Sequence, residues 1–163
     1  MKLRTFQESD WPRAAALLTS PEVSKTYMLP EFESAEAARP LFDRLAALSR
    51  NDGRFVRAME ADGVFVGFLN DVEREGDTVE IGYAVCPDVW GRGYATEALK
   101  LAIEELFAMG FRAVIAGAFR GNDASLRVME KCGMTVLPKT DSIEYRGQTH
   151  ECVYRIIRKD VAL

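Results

Sequence analysis

Polar and apolar residues alternate in KLRTF, Lys2 to Phe6, and this period of two predicts a first strand. In ESDWPRAAALLTS the period lengthens to that of a helix. Ser9 or Asp10 can cap it, and Pro12 suits its first turn, where a missing N–H costs nothing. A second helical region runs from Ser34 to Arg50, with Leu41, Phe42, Leu45 and Leu48 on one stripe. Pro40 sits inside it and must kink it or delay its start. From Arg54 the texture changes to three strand-like runs, RFVRAME, VFVGFLND and TVEIGYAV. Asp62-Gly63 marks the first turn and Glu75-Gly76-Asp77 the second, which predicts an antiparallel meander. A helix follows: Ala95, Leu99, Ala102, Leu106 and Met109 recur at three or four residues, opposite Glu97, Lys100, Glu104 and Glu105, and Gly110 is its stop. AVIAGAF, Ala113 to Phe119, reads as a short buried strand. Asn122 opens a further helix that Gly133 ends, and two strands around Arg146-Gly147 close the chain, the last containing CVYRII. The order β, α, α, three β, α, β, α, two β predicts an α+β (mixed α/β) fold around one mixed sheet. With no repeat, linker or low-complexity segment, residues 1–163 read as a single domain.

Composition narrows the classes of partner. The chain has 163 residues, 48% of them hydrophobic, and a formal charge of −4, enough for a real core. A pI near 5.2 argues against nucleic acid as the main partner, since phosphate binding wants a basic surface. Cys86, Cys132 and Cys152 are odd in number and lack metal-ligand spacing, so we expect buried, reduced thiols and no metal site. MKLRTFQESD does not have the pattern of a signal peptide, and no apolar run approaches ~18 residues. The expectation is a cytoplasmic protein that does not cross a membrane.

The chemistry concentrates in PDVWGRGYATEALKLAIEELFAMG, Pro87 to Gly110. Gly91 and Gly93 stand immediately before a helix. The first amide N–H groups of a helix have no acceptor within it and carry the positive end of its dipole. Two glycines and the small Ala95 let an anion approach them, and a phosphate or pyrophosphate is the natural ligand. A P-loop would place Lys-Ser/Thr after the turn, where Tyr94-Ala95-Thr96 stands. A dinucleotide fingerprint would need three glycines in a βαβ unit rather than two after a meander. On the residues alone, ordinary turn geometry remains the competing explanation.

EIGYAVCPDVWGRGYATEAL followed by GNDASLRVMEKCGM resembles the GCN5-related N-acetyltransferases, most closely the bacterial branch that includes the ribosomal-protein N-terminal acetyltransferases. The family's signature is Gln or Arg, two residues, Gly, one residue, then Gly or Ala. It stands here as Trp90 to Ala95, with Trp90 departing from the first position. The resemblance covers the whole chain in element order, but its specific motifs lie within residues 80–133. It implies a mostly antiparallel seven-stranded sheet flanked by helices. The strand TVEIGYAV would splay from AVIAGAF to admit the pantetheine arm of acetyl-CoA. It implies cosubstrate contacts at Ala84, Val85, Gly91, Arg92, Gly93, Tyr94, Ala95, Thr96, Asn122 and Ser125. It also implies that specificity resides in the first helical pair; Tyr27, Met28, Phe32 and Trp90 either line an acceptor pocket or fill the core.

Transfer of an acetyl group from a thioester to an amine needs a deprotonated amine, a polarised carbonyl and a stabilised thiolate. Glu80 shares a strand face with Gly82 and Ala84, and resemblance makes it the candidate base. Its competing reading is a structural carboxylate paired with an arginine of a neighbouring strand. Gly82, inside a strand, marks either ligand approach or a packing gap. Ser125 falls on one stripe with Val128, Met129 and Cys132, and resemblance makes it the acid for the leaving thiolate, with Asn122 beside it. Both are equally natural helix-start residues. Arg92, Arg127 and Lys131 are candidates for phosphate or adenosine contacts, or simply solvated. His150, the only histidine, has no motif around it. The expected activity is direct acetyl transfer from acetyl-CoA to a primary amine in a ternary complex, by a monomer or homodimer. A protein N-terminus or a small-molecule amine is the acceptor. The competing classes are a non-catalytic acyl-CoA sensor and a nucleotide-binding module.

Overall fold

The computed structural model describes residues 1–160. Its elements run in the expected order with one short helix added before the meander. β1 (Lys2–Arg4) leads to α1 (Trp11–Leu18), α2 (Pro21–Ser24) and α3 (Arg39–Ser49). The meander is β2 (Val56–Ala61), β3 (Val64–Glu75) and β4 (Thr78–Val85). Then come α4 (Tyr94–Ala108), β5 (Ala113–Phe119), α5 (Asp123–Lys131), β6 (Thr135–Tyr145) and β7 (Gln148–Arg158). The strands form a seven-stranded sheet in the order β1-β2-β3-β4-β5-β7-β6. β1 with β2, β2 with β3, β5 with β7 and β6 with β7 are antiparallel. β4 and β5 are parallel, in a register that runs only from Thr78↔Ala113 to Ile81↔Ala116.

Local departures from expectation have local causes. The first strand stops at Arg4 instead of Phe6 because Phe6, fully buried, leaves the sheet for the core and gives its N–H to Ser49 Oγ at 3.1 Å. Pro40 delays its helix rather than kinking it: a 3-10 turn, Glu36–Ala38, precedes α3, and Pro40 occupies the first turn. Helix α2 has four residues, too few to show a period. Ser20 caps it by accepting from Val23 N, and Pro21 starts it. The hairpin turns Asp62-Gly63 and Arg146-Gly147 both take positive φ, at 52° and 77° and at 51° and 77°. Paired positive φ values suit the right-handed twist of the flanking strands.

The chain forms two compact units. One comprises residues 1–70 with 83–98, the other 71–82 with the chain from 99 onward. In the first, Phe6 is the centre of the core, with ring centroids of Phe42, Phe65 and Phe68 at 5.8, 5.8 and 6.3 Å. Arg4 ties β1 to its neighbours. Its guanidinium grips both oxygens of buried Asp10 at 2.8 and 2.9 Å and donates to Glu60 at 2.8 Å. Charges this deep are tolerated only when paired. In the second unit Phe119, Cys152 and Tyr154 form a buried cluster flanked by Ile115, Leu137, Ile143 and Tyr145.

Gly67 on β3 has no room for a side chain. A Cβ there would lie 2.3 Å from the Ala84 carbonyl oxygen and 3.0 Å from Val85 Cα. Both are backbone atoms and cannot rotate away. Gly67→Ala is therefore expected to cost about 3 kcal/mol, seen as a fall in Tm of roughly 5–10 °C in a thermal melt. A melt within 1 °C of wild type (a rough threshold) would show that β3 and β4 separate cheaply.

Candidate active site

The glycine turn stands open at the start of a helix. Gly91 and Gly93 take φ of 83° and 79°, in the region where side chains are strained, and nothing lies within 4 Å of the position a Cβ would take at either. Glycine suits this backbone conformation, and no packed neighbour fills the space beside either residue. The Gly93 carbonyl accepts from Glu97 N at 3.1 Å, which makes it the first acceptor of α4. The amides of Tyr94 and Ala95 then fall in the first turn, where no acceptor within the helix exists. Gly91, Arg92 and Gly93 are exposed, and Tyr94, Ala95 and Thr96 are half-buried. This open, amide-lined turn fits a pyrophosphate.

The segment between β4 and the turn is pinned. Cys86 N donates to Val66 O at 2.8 Å, and the Trp90 indole donates to Val85 O at 2.8 Å. Trp90, the residue that departs from the family signature, thus takes the Val85 carbonyl for itself. Arg13 of α1 holds Asp88 through two 3.0 Å hydrogen bonds and donates to Phe65 O. Tyr27 gives its hydroxyl proton to Asn70 Oδ1 at 2.6 Å, and Tyr27 and Phe32 pack on the core. Met28 stands 48% exposed at a cleft of about 210 Å³ that Leu41, Leu45 and Phe68 also line.

Glu80 lies in the middle of β4. Val79 and Ile81 are buried and Glu80 half-buried, so its side chain leaves the sheet on the opposite face from theirs. Burial raises its pKa above the usual carboxylate value. Lys139 lowers it somewhat, and Glu73 and Asp141 raise it further. The cation acting on Glu80 is this lysine, not an arginine. One Glu80 oxygen lies 3.5 Å from where a Cβ of Gly117 would stand.

On α5, Asn122 is the N-cap and its Oδ1 accepts from Ser125 N at 3.3 Å. The stripe through Ser125 faces inward as expected: Met129 is fully buried, Cys132 buried, and Ser125 and Val128 half-buried. Arg127 and Lys131 lie on the exposed side. His150 stacks on Phe119 at 4.3 Å and 15°. All three cysteines are buried and unpaired with one another. Burial pushes the Cys86 thiol up to about 11 and raises those of Cys132 and Cys152. Among the described residues no group of three or more His, Cys, Asp or Glu side chains is arranged to hold a metal ion, and no helix is long and apolar enough to cross a membrane.

Sequence reasoning missed Gly117, Asp141, Lys139 and Tyr154 around Glu80. Gly117 carried the same signal as Gly82, a glycine inside a strand. The others come from β6 and β7, whose register no local pattern reveals.

The raised pKa of Glu80 has a consequence for stability. Its folded-state pKa exceeds the unfolded one, so the stability linked to its protonated form is present at low pH and lost as pH rises through the raised value. Glu80→Gln carries no charge to bury. Its Tm relative to wild type is expected to become more favourable between pH 4.5 and pH 8, by roughly 1–3 °C, in paired thermal melts. A carboxylate retained for its attraction to a cation gives the opposite trend.

Comparison with known proteins agrees with the geometry. The family model described as "Acetyltransferase (GNAT) domain" matches residues 1–135. The Bacillus subtilis protein YoaA, an uncharacterized N-acetyltransferase, is 30% identical over 139 residues, which cover 80% of this chain and 77% of YoaA. The crystal structure of a GNAT-family acetyltransferase from Bacillus anthracis superposes with a TM-score of 0.79 at 25% identity, over 96% of this chain and 93% of that one. RimL, a ribosomal L7/L12 alpha-N-protein acetyltransferase solved with coenzyme A, shares the fold at a TM-score of 0.80 and 19% identity, over 96% and 92% of the two chains. With a glycine turn open to a pyrophosphate at the start of α4, the chain belongs to the GNAT acetyltransferases and is an acetyl-CoA-dependent N-acetyltransferase.

Proposed function

We propose that the enzyme acetylates the α-amine of a protein N-terminus, by direct transfer, in the cytoplasm. The observation that carries this reading is Glu80, a half-buried carboxylate whose proton affinity is raised by burial and by Glu73 and Asp141. Such a group is a better base than an exposed carboxylate, yet still a modest one. An α-amine near ~7.7–8.0 needs no more than that, whereas a lysine amine near ~10.4 does. A small-molecule amine of similarly low pKa is the alternative acceptor.

Bound acetyl-CoA supplies the thioester. The amides of Tyr94 and Ala95 and the cleared space at Gly91 and Gly93 hold its pyrophosphate, with Arg92 and Thr96 at the turn's edge. The backbone of Ala84 and Val85 orients the pantetheine arm from β4, with the Val85 carbonyl already committed to Trp90. Glu80 takes the proton from the ammonium, directly or through a water. Ser125, in the first turn of α5, donates to the departing sulfur, and Asn122 fixes that turn.

The decisive test incubates the protein with acetyl-CoA and an amine panel: peptides with free α-amines, a lysine-containing peptide blocked at its N-terminus, and spermidine. Free thiol is followed. The reading expects the α-amine peptides to be preferred near pH 7.5. Preference for the blocked lysine peptide or for spermidine would overturn the choice of acceptor. Tight acetyl-CoA binding with no thiol release from any amine would identify a sensor instead.

Two substitutions follow. Gly93→Ala should weaken CoA at least ~10-fold by calorimetry, because its methyl group enters the space kept open above the amides. The positive φ at this position adds a stability cost of about 1 kcal/mol, so CoA affinity and Tm are read together. Unchanged affinity in the folded variant would reduce the turn to a connection. Ser125→Ala should lower turnover by ~10- to 100-fold with little change in acetyl-CoA affinity. Wild-type turnover would leave Ser125 as a helix-start residue only.

A further inference from the structure

Tyr154 is 5% exposed, on β7, opposite Gly117 of β5. Its ring sits where no side chain could stand on Gly117: a Cβ there would lie 2.7 Å from Tyr154 Cε1 and 2.9 Å from Cδ1. The same vacant position is 3.5 Å from a Glu80 oxygen. One glycine therefore brings an aromatic ring and the candidate base together. The ring is fixed at its far end as well. The Tyr154 hydroxyl donates to Asp141 Oδ2 at 2.7 Å. Lys139 approaches Asp141 at 3.7 Å and lies 4.8 Å from the Tyr154 ring centre. Lys139 lies within the irregularity in the pairing of β6 with β7 between Leu137 and Thr140, and Asp141 follows it, opposite Cys152.

We propose that Tyr154 and Asp141 are positioning residues for Glu80: the ring, seated on Gly117, shields one side of the carboxylate, and the hydroxyl fixes the second carboxylate so that it acts on Glu80 constantly. This rests on the reading of Glu80 as base. The ionisable groups acting on Glu80 are Glu73 from β3, and Asp141 and Lys139 from β6. From β7 come Tyr154 and Cys152, whose own pKa values Glu80 helps to raise. Without the Tyr154 hydroxyl, Asp141, about half-exposed, is free to swing toward solvent and Lys139. Without the ring, water reaches Glu80 beside Gly117 and stabilises its ionised form.

The test is a titration of the Glu80 side-chain carboxyl by NMR in the full chain with ¹³C-labelled glutamate, the signal assigned by its loss in Glu80→Gln. Asp141→Asn keeps a hydrogen-bond acceptor for Tyr154 but removes the charge. Its Glu80 midpoint is expected to fall by about half a pH unit, a roughly threefold rise in acid dissociation. Tyr154→Leu should move the midpoint in the same direction, and Tyr154→Phe, which keeps the ring, by less. A purely structural role for these residues lowers Tm without moving the titration. An unchanged midpoint in Asp141→Asn and Tyr154→Phe overturns the proposal even if Tyr154→Leu does not fold. Activity with glycinamide as the amine probe separates this from the parent reading. If Glu80→Gln keeps the acidic limb of the pH–kcat/KM profile, Glu80 is not the base and the proposal falls with it. If that limb vanishes in Glu80→Gln but stays in place in Asp141→Asn, the base stands and its positioning by Asp141 does not.

Discussion

The approach of β3 to β4 at Gly67 is the constraint from which the first unit follows. With no side chain at Gly67, the Ala84 carbonyl and the Val85 backbone come within reach of β3, and Cys86 can hydrogen-bond to Val66. That bond fixes where β4 ends. The 3-10 turn Pro87–Val89 then hangs between two anchors, Arg13 on Asp88 and the Trp90 indole on Val85. By the time the chain reaches Gly91 its direction is set. The glycine turn is flexible only in what it can accommodate, not in where it lies.

Two chemical demands are answered by different local physics. In the proposed mechanism the negative charge of the pyrophosphate meets backbone dipoles at the start of α4, with Arg92 as the basic side chain within the turn. A chain of net charge −4 can bind an anion this way because helix-start amides act at short range, where the overall charge matters little. In the proposed mechanism the proton goes to Glu80, whose proton affinity is raised first by burial, lowered somewhat by Lys139 and raised further by Glu73 and Asp141. Neither device requires a dense array of ionisable groups.

The fold was legible where a period persisted. The meander, α4 with its stop at Gly110 and the buried strand Ala113–Phe119 all stand where their patterns put them. Helix α2, with four residues, was illegible because one turn has no period. The glycine turn before α4 was legible because its signal is local: two glycines before a helical stripe. The surroundings of Glu80 were not. Gly117, Asp141 and Tyr154 are separated by up to 37 residues and meet only through the β5–β7–β6 register, which includes an irregularity between Leu137 and Thr140. The competing reading of Glu80, a carboxylate paired with an arginine, named the wrong cation for the same reason. The cross-strand neighbour is decided by register, and register placed Lys139 and Asp141 there instead.

The buried thiols bear on the enzyme's chemical selectivity. An enzyme that handles an activated acyl thioester is exposed to acylating its own cysteines. Only the thiolate attacks at a useful rate, and a thiol near 11 is ionised at roughly one part in ten thousand at neutral pH. Cys86, near the turn, is protected in this way, and the raised thiols of Cys132 and Cys152 are protected in the same sense. Core packing therefore doubles as a safeguard: the hydrocarbon around each sulfur keeps the acyl group available for the amine and leaves the enzyme unmodified between turnovers.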